Sequence, residues 1–209
     1  MRLVERIPPL AKTPIVGIIR GYGREDAVAA SVAVADAGIE VLEVTYGSPD
    51  VLETIESLAG RAGLGVGVGT VTTVEQLRAA ASAGAAFVVT PVFVSAVVSA
   101  SQELDLPIIC GAASPTEIHA AHVAGATAVK VFPAVQLGGP GYLRAVLAPL
   151  GPLDVVPTGG VSPENAGDYF EAGAVAVGAG SGLFSARVAA DGDWAGLSAE
   201  ARRWVEAVR

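Results

Sequence analysis

Ala124-Gly125-Ala126-Thr127-Ala128-Val129-Lys130-Val131-Phe132-Pro133 joins the end of a helical pattern to an extended apolar run. Glycine suits the left-handed residue that closes a helix, and small and β-branched residues carry the strand that follows. The same joint recurs at Ala37-Gly38-Ile39, Ala83-Gly84-Ala85 and Ala172-Gly173-Ala174, a weak internal repeat. Working outward from it gives eight apolar runs, at residues 14–20, 39–45, 64–70, 86–91, 107–111, 126–133, 154–160 and 174–180. Helical patterns follow them: 24–37, 48–58, 73–83, a stretch ending near 104, 114–124, about 140–147 and 162–172. Ser48 is the expected N-cap of the second helix, with Pro49 at its first position. Residues 1–12 form a short helix interrupted at Pro8-Pro9, and Asp193 caps a last helix carrying Trp194 and Trp204.

The runs are nearly continuous in apolar residues rather than alternating, so both faces are buried, as in a parallel sheet covered by helices. Eight βα units at a period of roughly 20–27 residues predict an α/β fold, a (β/α)₈ TIM barrel near the lower size limit of its class. The chain is expected to be a single barrel domain over residues 1–209 with a short N-terminal helix. The competing fold is an open doubly wound sheet, but no G-x-G-x-x-G follows the first run.

A net charge of −8 argues against nucleic-acid and anionic-membrane partners, though a local site can still be positive. Cys110 is the lone cysteine, which excludes an internal disulfide and fits a reducing cytoplasm. No apolar run reaches transmembrane length, and residues 1–6 lack the apolar core of a signal peptide.

Lys130 stands in the middle of its apolar run. The chain has only one other lysine, Lys12, against eleven arginines. An ammonium in such a strand costs several kcal/mol in desolvation unless it is paired or neutralised. Arginine cannot lose its proton to become a nucleophile, whereas a neutral lysine amine can attack a carbonyl and form a Schiff base. In a barrel, functional groups sit at the C-terminal strand ends. Arg20, Glu43, Thr45, Thr70, Thr90, Lys130, Thr158 and Ser181 mark those ends. Glu43 and Lys130 converge from strands two and six if both face inward, giving an amine and a proton shuttle. A buried structural ion pair is the alternative. Thr158-Gly159-Gly160-Val161 and Gly178-Ala179-Gly180-Ser181 follow strands seven and eight, where many barrels hold a phosphate on backbone N–H groups. Arg20 has the chemistry to clamp a carboxylate in bidentate fashion. His119 and His122 lack a third ligand and read as surface residues, and Cys110 as a small core residue.

Four pieces resemble, in order and spacing, the 2-keto-3-deoxy-6-phosphogluconate / 4-hydroxy-2-oxoglutarate aldolase family. They are Val41-Leu42-Glu43-Val44-Thr45, Gly67-Val68-Gly69-Thr70-Val71, Val129-Lys130-Val131-Phe132-Pro133 and Val156-Pro157-Thr158-Gly159-Gly160-Val161. The likeness runs from about Pro14 to Phe184. It implies a class I aldolase, usually a homotrimer, with no metal and no other cofactor. Lys130 takes the position of the Schiff-base lysine and Glu43 that of the proton-shuttling glutamate. Gly159, Gly160, Gly180 and Ser181 fall on the phosphate loops. Thr70, Pro91, Phe132 and Thr158 match residues lining the family's pocket. Some members carry an arginine where Gly47 stands here. Others, the phosphogalactonate aldolases among them, have Arg-Gly or Arg-Ala at the end of strand one, like Arg20-Gly21. The implied reaction cleaves 2-keto-3-deoxy-6-phosphogluconate or 4-hydroxy-2-oxoglutarate to pyruvate and an aldehyde such as glyceraldehyde 3-phosphate. Alternatives are the phosphogalactonate substrate, an isomerase or synthase using Lys130 only electrostatically, and a non-catalytic phospho-sugar sensor or trimeric scaffold.

Overall fold

A computed structural model describes residues 2–209. The chain opens with α1 (Leu3–Arg6) and a 3₁₀ turn (Pro8–Ala11), then alternates strand and helix until two helices end it. The order is β1 (Ile15–Ile19), α2 (Arg24–Asp36), β2 (Val41–Thr45), α3 (Val51–Leu58), β3 (Gly65–Gly69), α4 (Val74–Ser82), β4 (Val88–Val89) and α5 (Ser95–Glu103). It continues with β5 (Ile108–Ala112), α6 (Pro115–Val123), β6 (Ala128–Val131), α7 (Gly139–Leu150), β7 (Val155–Pro157), α8 (Ala166–Glu171), β8 (Val177–Ala179), α9 (Ala186–Asp191) and α10 (Trp194–Ala207). Every strand pair is parallel, and β1 joins β8 as well as β2. The seam between β7 and β8 closes through the Thr158–Gly178 bridge and the Val175 N–H to Val155 carbonyl bond of 3.1 Å. The expected (β/α)₈ barrel is therefore what the chain builds. Among the described residues no helix is long and apolar enough to cross a membrane.

Two-sided burial follows from the composition of the strands: every residue of β1, β2, β5 and β6 is buried. Outward-facing residues such as Ile15, Ile19, Leu42 and Val44 pack against the helices in the larger cluster. Inward-facing Val16, Val41, Phe87, Val89, Ile109, Ala128, Val156 and Ala176 form a separate interior cluster. Leu3, Ile7 and Leu10 of the N-terminal segment join that cluster, so α1 and the turn after it plug the N-terminal end of the barrel. The interior is a packed core rather than a pore.

Glycine makes room for this packing. β3 turns Gly65, Gly67 and Gly69 inward at period two, and a Cβ at Gly67 would stand 2.6 Å from the Phe87 ring. Phe87 thus fills the volume that a side chain on β3 would occupy. At Gly111 a Cβ would overlap the backbone of Thr90 and Pro91, which crosses closely over β5.

Several boundaries differ from expectation for physical reasons. Ser48 does not cap α3. Its hydroxyl accepts the Gly21 N–H at 2.9 Å, tying the loops after β1 and β2, and Asp50 at φ +50 precedes the helix. β4 is only two residues long, because the Thr90 hydroxyl replaces a ladder acceptor by taking the Gly111 N–H at 3.0 Å. α8 begins at Ala166 rather than Ser162, since the Asn165 amide braces the preceding loop through the Ser162 N–H and the Gly160 carbonyl. α9 has no counterpart in the sequence reading; the Ser185 hydroxyl caps it by accepting the Val188 N–H.

Phe87→Ala is expected to lower unfolding free energy by about 3–5 kcal/mol, the range for a buried aromatic truncated in a rigid core. Urea unfolding followed by circular dichroism measures it. A loss below about 1 kcal/mol would show that the space opposite Gly67 collapses freely.

Candidate active site

Lys130 is centred in β6 and flanked by Val129 and Val131, which face the helices, so its own side chain turns into the barrel. Glu43 is centred in β2 with the same inward parity. The two strands lie on opposite sides of the barrel, and their side chains meet across it: Lys130 Nζ is 3.4 Å from Glu43 Oε2. The side chains are 9% and 1% exposed. A charged pair this deep is favourable only if its geometry offsets desolvation. Here one carboxylate oxygen, Oε1, has no protein partner among the described residues. The amine stands at 5.9 Å from the Phe132 ring centroid, at the outer limit of cation–π range.

A small cavity of about 10 Å³ adjoins the pair, close to the volume of one water. Glu43, Lys130, Thr158 and Gly178 supply its functional edge, and Val16, Ile18 and Val89 are among its apolar walls. Thr158 leans over Gly178, where a Cβ would overlap its hydroxyl oxygen. A larger cleft of about 490 Å³ lies at the N-terminal end of the barrel, lined by Arg6, Asp105, His122 and Asp154 among others. Its charges are already engaged: Arg6 donates to the Asp105 carboxylate at 2.6 Å, and Asp154 accepts the Leu3 N–H at 2.7 Å. Chemistry in barrels sits at the other end, and the Lys130–Glu43 pair opens there.

The remaining candidates ring the mouth. Phe132 is exposed just beyond β6 and Pro91 half-buried beyond β4. Thr70 ends β3 at φ +62, a left-handed conformation that is costly for a β-branched residue. Gly159 and Gly160 both have positive φ, at +96 and +77. They allow the loop after β7 to pass under Phe132 and Val135, which a Cβ at either glycine would crowd. Among the described residues the N–H groups of Gly160, Val161 and Ser181 donate to no protein acceptor, and Ser181 is exposed. Gly180 is half-buried with open space where a Cβ would stand.

Arg20 lies one residue beyond the Ile19–Val44 pair, with the inward parity of Ile18. It is exposed and makes no ion pair among the described residues, so it does not join the buried pair. Gly47, at φ +97, supplies no side chain to this part of the mouth.

Thr45 and Thr90 differ from the other polar strand ends. Both are fully buried; Thr90 is spent on the Gly111 latch, and Thr45 Oγ1 has no partner among the described residues. His119 and His122 are exposed, Cys110 is buried with its thiol pushed up by burial, and the described residues hold no cluster of three or more potential metal ligands. The sequence reading gave the interior glycines of β3 and Gly111 no packing role, and took Gly178 for part of a phosphate loop rather than for the space under Thr158. The period-two spacing of Gly65, Gly67 and Gly69 was the available signal.

Residues 7–199 match the model of the aldolase family described as KDPG and KHG aldolase. The 2-dehydro-3-deoxy-6-phosphogalactonate aldolase of Escherichia coli (strain K12) is 36% identical over 179 residues, covering 84% of this chain and 86% of that protein. The 2-dehydro-3-deoxy-phosphogluconate aldolase of Treponema pallidum (strain Nichols) is 35% identical over 200 residues, 95% of each. Among solved structures, the KDPG aldolase from Legionella pneumophila, with pyruvate captured at low pH as a covalent carbinolamine intermediate, superposes with a TM-score of 0.85 at 27% identity. That match covers 96% of this chain and 98% of the Legionella one. With the barrel and its buried lysine–glutamate pair, these matches make the chain a member of the KDPG and KHG aldolase family, an aldehyde-lyase.

Proposed function

We propose that this chain is a class I aldolase that cleaves a 2-keto-3-deoxy-6-phospho sugar acid through a Schiff base on Lys130. The observation that carries the proposal is the Lys130–Glu43 pair, buried at 3.4 Å with one carboxylate oxygen that has no partner among the described residues. Lys130 Nζ attacks the C2 carbonyl, and loss of water from the carbinolamine gives a protonated imine. Glu43, directly or through one water, takes the proton of the C4 hydroxyl. The C3–C4 bond breaks, its electrons move into the imine to form an enamine, and glyceraldehyde 3-phosphate departs. Glu43 returns the proton to C3, and hydrolysis of the imine releases pyruvate and the free amine. The covalent pyruvate adduct in the Legionella relative supports this route.

The unpaired N–H groups of Gly160, Val161 and Ser181, with the open approach at Gly180, support binding of the 6-phosphate after β7 and β8. Thr158 at the cavity edge and Thr70, Pro91 and Phe132 at the mouth complete the proposed pocket. Arg20 is the proposed partner of the substrate carboxylate. It is the cation at the end of β1 that has no ion-pair partner among the described residues, and Gly47 offers none. This arrangement, with the phosphogalactonate aldolase among the relatives, also favours a second reading in which the substrate has the galactonate configuration at C4. We place the enzyme in the cytoplasm as a homotrimer, following the family resemblance and the single free cysteine.

A panel of phosphorylated and unphosphorylated 2-keto acids, assayed for pyruvate release, tests the reading. Six-carbon phosphorylated 2-keto-3-deoxy acids are expected to be the best substrates, and the gluconate and galactonate epimers decide between the two configurations. No pyruvate from any member would overturn the proposal. Arg20→Ala is expected to lower kcat/KM by roughly 10–150-fold, the worth of a charge-assisted bond, with partial recovery in Arg20→Lys. A folded Arg20→Ala enzyme at the wild-type rate would show that backbone N–H groups hold the carboxylate.

A further inference from the structure

We infer that Gly69 is a positioning residue for Glu43: its missing side chain is the space in which the carboxylate lies. This inference rests on the aldolase reading above, in which Glu43 moves protons. In the β2–β3 register Glu43 stands opposite Gly67, and Thr45 opposite Gly69. The Glu43 side chain does not stay at its own level. It leans one pleat toward the mouth and crosses the inward face of Gly69. A Cβ built at Gly69 would overlap Oε1 and Cδ and stand 2.6 Å from Cγ, closer than real Cβ atoms approach any neighbour. All three of its nearest atoms belong to Glu43.

The other tight interior glycines meet different neighbours. Gly67 faces the Phe87 ring, Gly111 the Thr90–Pro91 backbone and Gly178 the Thr158 side chain. Gly69 lies within a regular strand and is not among the residues of positive φ, so its backbone conformation is open to any residue. The nearest obstacle to a side chain there is Glu43 itself. A methyl group at residue 69 would push Glu43 off β3 and change the reach of Oε2 to Lys130 Nζ, while leaving the lysine in place on the opposite side of the barrel.

Two steps of the reaction separate this role from a structural one. Borohydride trapping with pyruvate reads imine formation at Lys130, and deuterium exchange at the pyruvate methyl group reads proton transfer by Glu43. Gly69→Ala is expected to keep trapping within about twofold and KM near wild type, while exchange and kcat fall by about 10²-fold. In a Glu43→Ala background the same substitution should change neither stability nor the residual exchange rate. A folded Gly69→Ala enzyme that exchanges at the wild-type rate, or that loses trapping and exchange equally, would overturn the inference. If Gly69→Ala does not fold, a folded Gly69→Ala/Glu43→Ala protein supports it, and failure of both overturns it. Glu43→Gln separates the two layers. Wild-type exchange in Glu43→Gln would remove the proton-shuttle role itself, and with it this inference. Slow exchange there beside fast exchange in Gly69→Ala would remove only the role of Gly69.

Discussion

An amine and a carboxylate held 3.4 Å apart in an apolar barrel interior are the constraint around which the rest of the molecule is arranged. Each ion alone would be expensive to bury, and removing one would strand the other. The pair survives because two strands from opposite sides of a closed sheet deliver the groups to one point. Closure needs both faces of every strand covered, and the Val- and Ala-rich runs meet that need on the helix side and in the interior. The N-terminal plug of Leu3, Ile7 and Leu10 packs against the interior cluster at one end of the barrel.

Space around the pair comes from glycine rather than from a large cavity. Two inward glycines on β3 leave room for their neighbours, Gly67 for the Phe87 ring below and Gly69 for the Glu43 side chain above. Gly178 does the same for Thr158. The result is a tight interior with a void of about 10 Å³ beside the Lys130–Glu43 pair, and a mouth built from glycine-containing loops after β7 and β8. A packed floor and an open, N–H-lined rim suit a substrate with a carbonyl at one end and an anion at the other.

Much of this was legible before any coordinates. Two-sided apolar runs with glycine-ended helices between them carried the barrel, and strand parity made Glu43 and Lys130 converge provided both face inward, as they do at 3.4 Å. The rest depended on tertiary contacts that have no local signature. Ser48 reads as a helix cap because serine before proline usually is one; its hydroxyl instead joins two loops by accepting the Gly21 N–H. Thr90 reads as a strand-end polar residue, but its oxygen is consumed by the Gly111 N–H. Arg20 has the right position in sequence and the right parity, yet it remains exposed and outside the buried pair. The role of Gly67 and Gly69 appears only when the side chains of Phe87 and Glu43 are laid over the inward face of β3.

Incubation with pyruvate and borohydride, followed by peptide mass spectrometry, tests most directly whether the Lys130 amine forms a covalent imine with the keto acid. A reduced pyruvyl adduct is expected on Lys130, absent from Lys12 and absent when borohydride is omitted. Catalytically active protein that carries no adduct on Lys130 after this treatment would contradict it.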